Sequence, residues 1–151
     1  MALELSTIGI KLGYAPEATA GTKPTTGYTD ITNITSIGEI SAQPDQLDCS
    51  DLQDVFKRYI AGQRDTGGNV AIGANFTKAF LTQWNTIVTA YETAHDAGKQ
   101  LWFQVLVEGF GAFYFSGEPV ELGLPGIEVN QVFAGTANIV PNTVAGWIAE
   151  S

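Results

Sequence analysis

One histidine, one cysteine and 16 carboxylates are what the 151 residues offer for chemistry. A general base such as His95 needs a nucleophile and an orienting group at hydrogen-bond distance. No serine stands in a nucleophile-elbow context, and His95 lies at the edge of a helical apolar stripe, where it reads as structural. One His and one Cys cannot make an ordinary His/Cys zinc site. Asp45, Asp48, Asp51 and Asp54 recur at every third position and offer carboxylates to a cation such as Ca²⁺. An EF-hand loop needs oxygens at alternate positions, a central Gly and a terminal Glu, and none of that is present. The run therefore reads as a solvated acidic loop, with a cation bridging two subunits as its functional alternative. Any two carboxylates could serve a glycosidase, which makes that idea uninformative here. Gly21-Thr22-Lys23-Pro24 lacks the spacing and following helix of a phosphate-binding loop. Trp102, Phe103, Phe113, Tyr114 and Phe115 could line a ligand pocket, but at strand spacing they read as core. No catalytic residue, metal site or cofactor is expected.

The elements that would carry these residues are mostly strands. Ile8, Ile10, Leu12 and Tyr14 alternate with Gly9, Lys11 and Gly13, the period of a half-buried strand. Ala15–Gly27, rich in Thr, Ala, Gly and Pro, reads as a long mobile loop. Tyr28–Ile40 reads as a strand with an irregularity near Ser36, because β-branched residues dominate it. Ser41–Arg64 is either a short helix or a projecting hairpin, and the hairpin is favoured; Asp65-Thr66-Gly67-Gly68 then reads as a tight turn before a strand over Asn69–Asn75. One helix is clear. Phe76, Phe80, Trp84, Ile87 and Tyr91 form a single stripe at 100° per residue, widened by Leu81 and Val88, with Lys78, Thr82, Asn85, Thr89, Glu92 and Asp96 opposite. Asn75 or Thr77 can cap its start and Gly98 suits its end. Beyond it, Leu101, Phe103, Val105 and Val107 share one strand face, Gly109-Phe110-Gly111 turns the chain, and Ala112–Phe115 pairs back. Gly117–Gly126 reads as a loop, Ile127–Phe133 as an alternating strand continuing to Pro141, and Val144–Ala149 as a last short segment.

The length suits one domain, 1–151. The order of strands, one helix, then strands predicts a mainly β fold, a β-sandwich or barrel of antiparallel strands with one flanking α-helix. Charged residues make up only 15% of the chain, against about 25% in an average soluble domain, as in a subunit covered by neighbours on several sides. With 7 Lys+Arg against 16 Asp+Glu the net charge is −9. Nucleic-acid affinity rests on clustered cations, and Lys57-Arg58 is the only basic pair, so specific DNA binding and membrane-surface binding are both disfavoured. A lone Cys49 makes no internal disulfide. Met1-Ala2-Leu3-Glu4 lacks the basic start of a signal peptide, and no stretch approaches a membrane span, so synthesis and folding in the cytoplasm are expected.

Met1-Ala2-Leu3-Glu4-Leu5-Ser6-Thr7 followed by Gly9-Ile10-Lys11-Leu12-Gly13-Tyr14 resembles the opening of the major tail proteins (tail tube proteins) of long-tailed, non-contractile, siphovirus-type bacteriophages. Arg58-Tyr59-Ile60-Ala61-Gly62 with Asp65-Thr66-Gly67-Gly68, Gly117-Glu118-Pro119 before Leu122-Gly123-Leu124, and the closing Ala137-Asn138-Ile139-Val140-Pro141-Asn142 are similar in the same order. The turn Pro141-Asn142-Thr143 departs from a Pro-Ser-Gly-like ending. The resemblance implies a structural subunit of the virion tail, assembled in the host bacterial cytoplasm. Its partners would be itself, as homo-hexameric rings stacked into a tube, and tape-measure, tail-tip and tail-terminator proteins. DNA would pass through without specific binding. Ile8, Ile10 and Leu12 of the N-terminal segment, and Asp45, Asp48, Asp51, Asp54, Lys57, Arg58 and Tyr59 of the 41–64 excursion, are the candidate subunit and ring-stacking contacts. A tube of a contractile-tail, type VI or related injection system is the alternative within the fold; a monomeric ligand-binding module is the alternative outside it.

Overall fold

The computed structural model describes residues 9–40, 43–53, 55–65 and 69–149. Nine strands and one helix are present among them: β1 Lys11–Pro16, β2 Thr29–Asp30, β3 Ile34–Ile37, β4 Gln43–Asp48, β5 Tyr59–Asp65, β6 Val70–Asn75, α1 Lys78–Asp96, β7 Leu101–Val107, β8 Gly111–Pro119 and β9 Ala134–Ala149. Seven strands form one antiparallel sheet in the order β2-β1-β7-β8-β9-β6-β3, and β4 pairs with β5 separately. The protein is mainly β, with one helix laid on a curled antiparallel sheet.

The curl follows from connectivity. β2 and β3 lie at opposite edges of the sheet, yet only residues 31–33 separate them. Flat, six strand spacings would set the edges about 29 Å apart. The four Cα steps from Asp30 to Ile34 reach about 14 Å at full stretch. The sheet must therefore roll until its edges approach. β3 and β7, separated in the sheet by three strands, accordingly line one groove, with Ile34 and Ile37 facing Val105 and Val107.

The seam is stitched by hydrogen bonds. Gln83 of α1 donates through Nε2 to the Asp30 carbonyl (2.7 Å), and its Oε1 accepts from the Thr32 backbone N–H (3.0 Å) and hydroxyl (3.2 Å). Ile31 is buried and donates its N–H to the Leu12 carbonyl, and Asn33, at φ 64°, accepts from the Asn75 N–H. The continuous strand expected over Tyr28–Ile40 is thus two short strands around a left-handed joint. Its irregularity near Ser36 is real, a register shift between Ile34 and Ser36 against β6.

The helix stripe packs as its spacing requires. Phe80, Trp84 and Ile87 are fully buried against Leu12, Ile72, Phe103, Phe115 and Ile139, with Phe76 and Tyr91 half-buried at the ends. Each such side chain contributes about 1.5–3 kcal/mol of transfer free energy. Thr77 caps the start, its side chain accepting the Phe80 N–H. At the end Gly98, at φ 74°, donates to the His95 carbonyl and Lys99 donates to that of Ala94, the paired bonds of a Schellman stop.

Several expected boundaries are corrected. Ala15 and Pro16 belong to β1, paired with Trp102 and Leu101, not to the following loop. Lys23 of that loop and Tyr28 just beyond it cover the second apolar sheet face: Tyr28 lies against Tyr114, and the Lys23 ammonium sits 3.8 Å above the Tyr114 ring. β8 runs on through Gly117 to Pro119, and β9 is one long strand where two segments were expected. Ile127–Phe133 is not a strand; Ile127, Val129 and Val132 are exposed. Ile127, Val129 and Phe133 do share one phase of the alternation, but no neighbouring strand pairs with them among the described residues. The turn expected at Asp65-Thr66-Gly67-Gly68 lies largely outside the described residues.

Candidate assembly surfaces

The separate hairpin is built by local rules. Leu47 pairs with Ile60 and Asp48 with Tyr59, with a register shift between Pro44 and Gln46. At its tip the Cys49 N–H donates to the Arg58 carbonyl, and the Arg58 N–H to Ser50 Oγ (2.7 Å). Two of the recurring aspartates have a structural use here. Asp48 Oδ1 accepts the Ser50 N–H and Asp51 Oδ1 the Gln53 N–H, each at 2.9 Å, so each acid closes a turn two residues on. That bond to the Ser50 backbone holds the Asp48 carboxyl below its usual range. Asp51 also meets the Arg58 guanidinium at 3.7 Å. Among the described residues no group of three or more His, Cys, Asp or Glu is arranged to hold a metal ion.

The apolar residues of the hairpin are left largely uncovered by the described residues. Leu52, Val55 and Phe56 at the tip are 105%, 90% and 83% exposed, and Leu47, Tyr59 and Ile60 in the strands are about half exposed. Isolated exposed apolar side chains are ordinary; a cluster of this size on one projection marks an interaction surface.

A second surface is a strand edge. β9 pairs with β6 from Ala134 to Ile139 and with β8 from Ile139 to Ala149. Beyond Ile139, residues 140–149 carry one edge that no strand pairs among the described residues. Trp147 and Ile148 are half exposed there, Trp147 edge-on to Phe110 at 4.7 Å and to Phe113 at 5.3 Å. An unpaired edge with apolar side chains is a template for another chain.

The expected contact residues separate into groups. Asp48, Asp51, Lys57, Arg58 and Tyr59 come together on the hairpin, and Asp45 lies in β4. Ile10 precedes β1 and lines the groove beside Ile34 and Trp147. Leu12 is corrected: 2% exposed under the helix, it is a core residue and offers nothing to a neighbour. Ile8 and Asp54 lie outside the described residues. His95 is exposed and rests on the Tyr91 ring.

Glu17 was missed by sequence reasoning. It is buried, with Oε2 accepting the Trp102 indole N–H (2.9 Å) and Oε1 the N–H groups of Gln100 (2.8 Å) and Gly21 (3.2 Å). The signal was present in the second apolar face of β7, whose Trp102 needs both cover and an acceptor.

No family model and no curated protein matches this sequence. Solved structures do. A chain of the six-fold symmetrised baseplate of the anti-feeding prophage (AFP) superposes with a TM-score of 0.57 at 11% identity, covering 95% of each chain. A chain from the tail of an empty GTA particle, refined helically with C6 symmetry, gives a TM-score of 0.52 at 12% identity over 94% of each. The chain shares the fold of these two subunits, end to end.

Proposed function

We propose that this chain is the repeating structural subunit of a phage tail tube. Copies join into hexameric rings, rings stack into a tube, and DNA travels along the bore. The observation that carries this reading is the free edge of β9 at 140–149, on a sheet whose fold likenesses come from assemblies of six-fold symmetry. An edge of that length, paired with the next copy, extends the sheet from subunit to subunit and leaves no open template at the rim of a closed ring. The hairpin β4–β5 is the element assigned to contact between rings.

The charge supports the same reading. A conduit for DNA must not hold it, and the chain carries −9. Two unit charges 10 Å apart in water interact by only about 0.4 kcal/mol, less in salt. One carboxylate does little, but rings of them repeated along a bore add up.

Negative-stain electron microscopy of the purified protein, at low and high concentration and with tail-tip and tape-measure partners present, tests the reading. Rings or hollow tubes are expected. Featureless monomers under every condition overturn it. Removing Asp45 to Tyr59 is expected to leave a folded subunit that makes no tubes; tubes of normal length from that deletion would remove the hairpin from the stacking role.

A further inference from the structure

Two apolar surfaces of opposite shape are left uncovered by the single chain. One is the convex hairpin tip of Leu52, Val55 and Phe56. The other is a pocket of about 430 Å³ between the start of α1 and the 120–133 loop, walled by Phe76, Phe80, Leu81, Leu122, Leu124 and Phe133. The pocket is held open by its own frame. The Trp84 indole N–H binds the Val120 carbonyl and the Phe76 N–H binds that of Phe133, both at 2.9 Å, which pins both ends of the loop to the helix. Phe76 stacks on Phe80 at 5.7 Å and takes Phe133 edge-on at 5.6 Å, giving an aromatic lining.

We propose that the hairpin tip of one copy seats in this pocket of the next copy. The inference rests on the assembly reading above and names the contact. The tip does not use its own pocket, since its three apolar side chains are almost wholly exposed. Aromatic anchors in apolar pockets are what the centres of protein interfaces are made of. The charges flanking the two surfaces can pair. The tip carries Lys57 and the Asp51–Arg58 pair, while Lys78 lines the pocket and Glu121 directly precedes its wall residue Leu122. A knob and a hole at different places on one chain make a heterologous contact. It propagates from copy to copy, where a two-fold dimer would stop.

Disulfide trapping tests this in a Cys49→Ser background, which removes the hairpin's own thiol. Chains carrying Phe56→Cys are mixed with chains carrying Leu124→Cys, both at exposed positions that folding does not need. Glu92→Cys, on the outward face of α1, replaces the pocket thiol in the control. The tip–pocket pair is expected to cross-link about tenfold faster than the control, because docking raises the local thiol concentration toward millimolar. A chain carrying both Phe56→Cys and Leu124→Cys is expected to give a ladder of cross-linked oligomers. Equal rates overturn the contact, and so does a doubly substituted chain that closes on itself as a monomer. Rings or tubes seen by microscopy alongside equal rates leave the assembly reading standing without this contact. A ladder without rings or tubes keeps the contact and removes the tube.

Discussion

Trp84 donates its indole N–H to the backbone carbonyl of Val120 at 2.9 Å, across 36 residues of sequence. One buried side chain thereby does two jobs. Its ring lies on Phe80 in the core, and its nitrogen anchors the loop that leaves β8. The two jobs separate by substitution. Trp84→Phe keeps an aromatic ring and loses the donor of a part-buried bond, and a cost of about 1–2 kcal/mol is expected. Trp84→Ala also opens a cavity and is expected to cost about 3–5 kcal/mol. Urea denaturation of both variants measures the difference. Equal losses would show that the ring contributes nothing beyond its hydrogen bond.

Thr77 holds the helix start and a loop together through one oxygen. Its Oγ1 accepts the Phe80 N–H and a hydrogen bond from Asn33 Nδ2, each at 3.1 Å. Thr77→Ala loses both, and a destabilisation of about 1–2 kcal/mol is expected. The first turn of α1 carries no acid. Thr77→Asp keeps an acceptor and adds a charge favourable to the helix dipole, worth about 0.3–1 kcal/mol. Thermal melts should place the alanine variant below the parent and the aspartate variant at or above it.

The core was legible wherever periodicity and burial coincide. Phe80, Trp84 and Ile87 could be read from their spacing because a helix on a sheet buries one stripe. The same holds for Leu101 and Phe103 on β7, which alternation assigns to one face. Ile127–Phe133 shows the limit. Alternation there is as regular as in β7, but a strand also needs a partner edge, and that depends on which strands lie beside it. The break at 31–33 was hidden for a similar reason: its cause is the roll of the whole sheet and the distant Gln83. Among candidate contacts, the aspartate spacing was visible, but its use in closing turns was not. Leu12 and Glu17 went wrong together, because a sequence does not say which face of β1 the helix takes or what covers the other.

Gln83 is the only side chain among the described residues that bonds both Asp30 and Thr32, the residues on either side of the buried Ile31. Gln83→Met preserves length and removes all three bonds. A stability loss of about 1–3 kcal/mol is expected. Amide exchange localises it: the Thr32 N–H should lose more protection than that of Phe103, deep in β7, which falls only by the change in global stability. Uniform loss of protection would mean that Gln83 supports the whole sheet and not its seam.

The Glu17 carboxylate gives the fold a defined acid sensitivity. Burial pushes its pKa up, but the hydrogen bonds from Trp102, Gln100 and Gly21, with the Lys99 charge, outweigh burial and hold it below the ordinary 4.5. A carboxyl depressed in the folded state adds stability that is fully present above the unfolded value. That stability is lost as pH falls through the folded one. Glu17→Gln offers one acceptor oxygen where three donors converge and turns an amide N–H toward another donor. The variant should therefore be less stable than the parent at neutral pH. The gap should stay constant down to the ordinary value of 4.5 and then close as the parent loses its charge. Denaturant midpoints for both chains, from neutral pH to about pH 3, read this directly. A gap that stays constant to the acid end would mean that Glu17 acts through packing, with its charge irrelevant to the cover over Trp102.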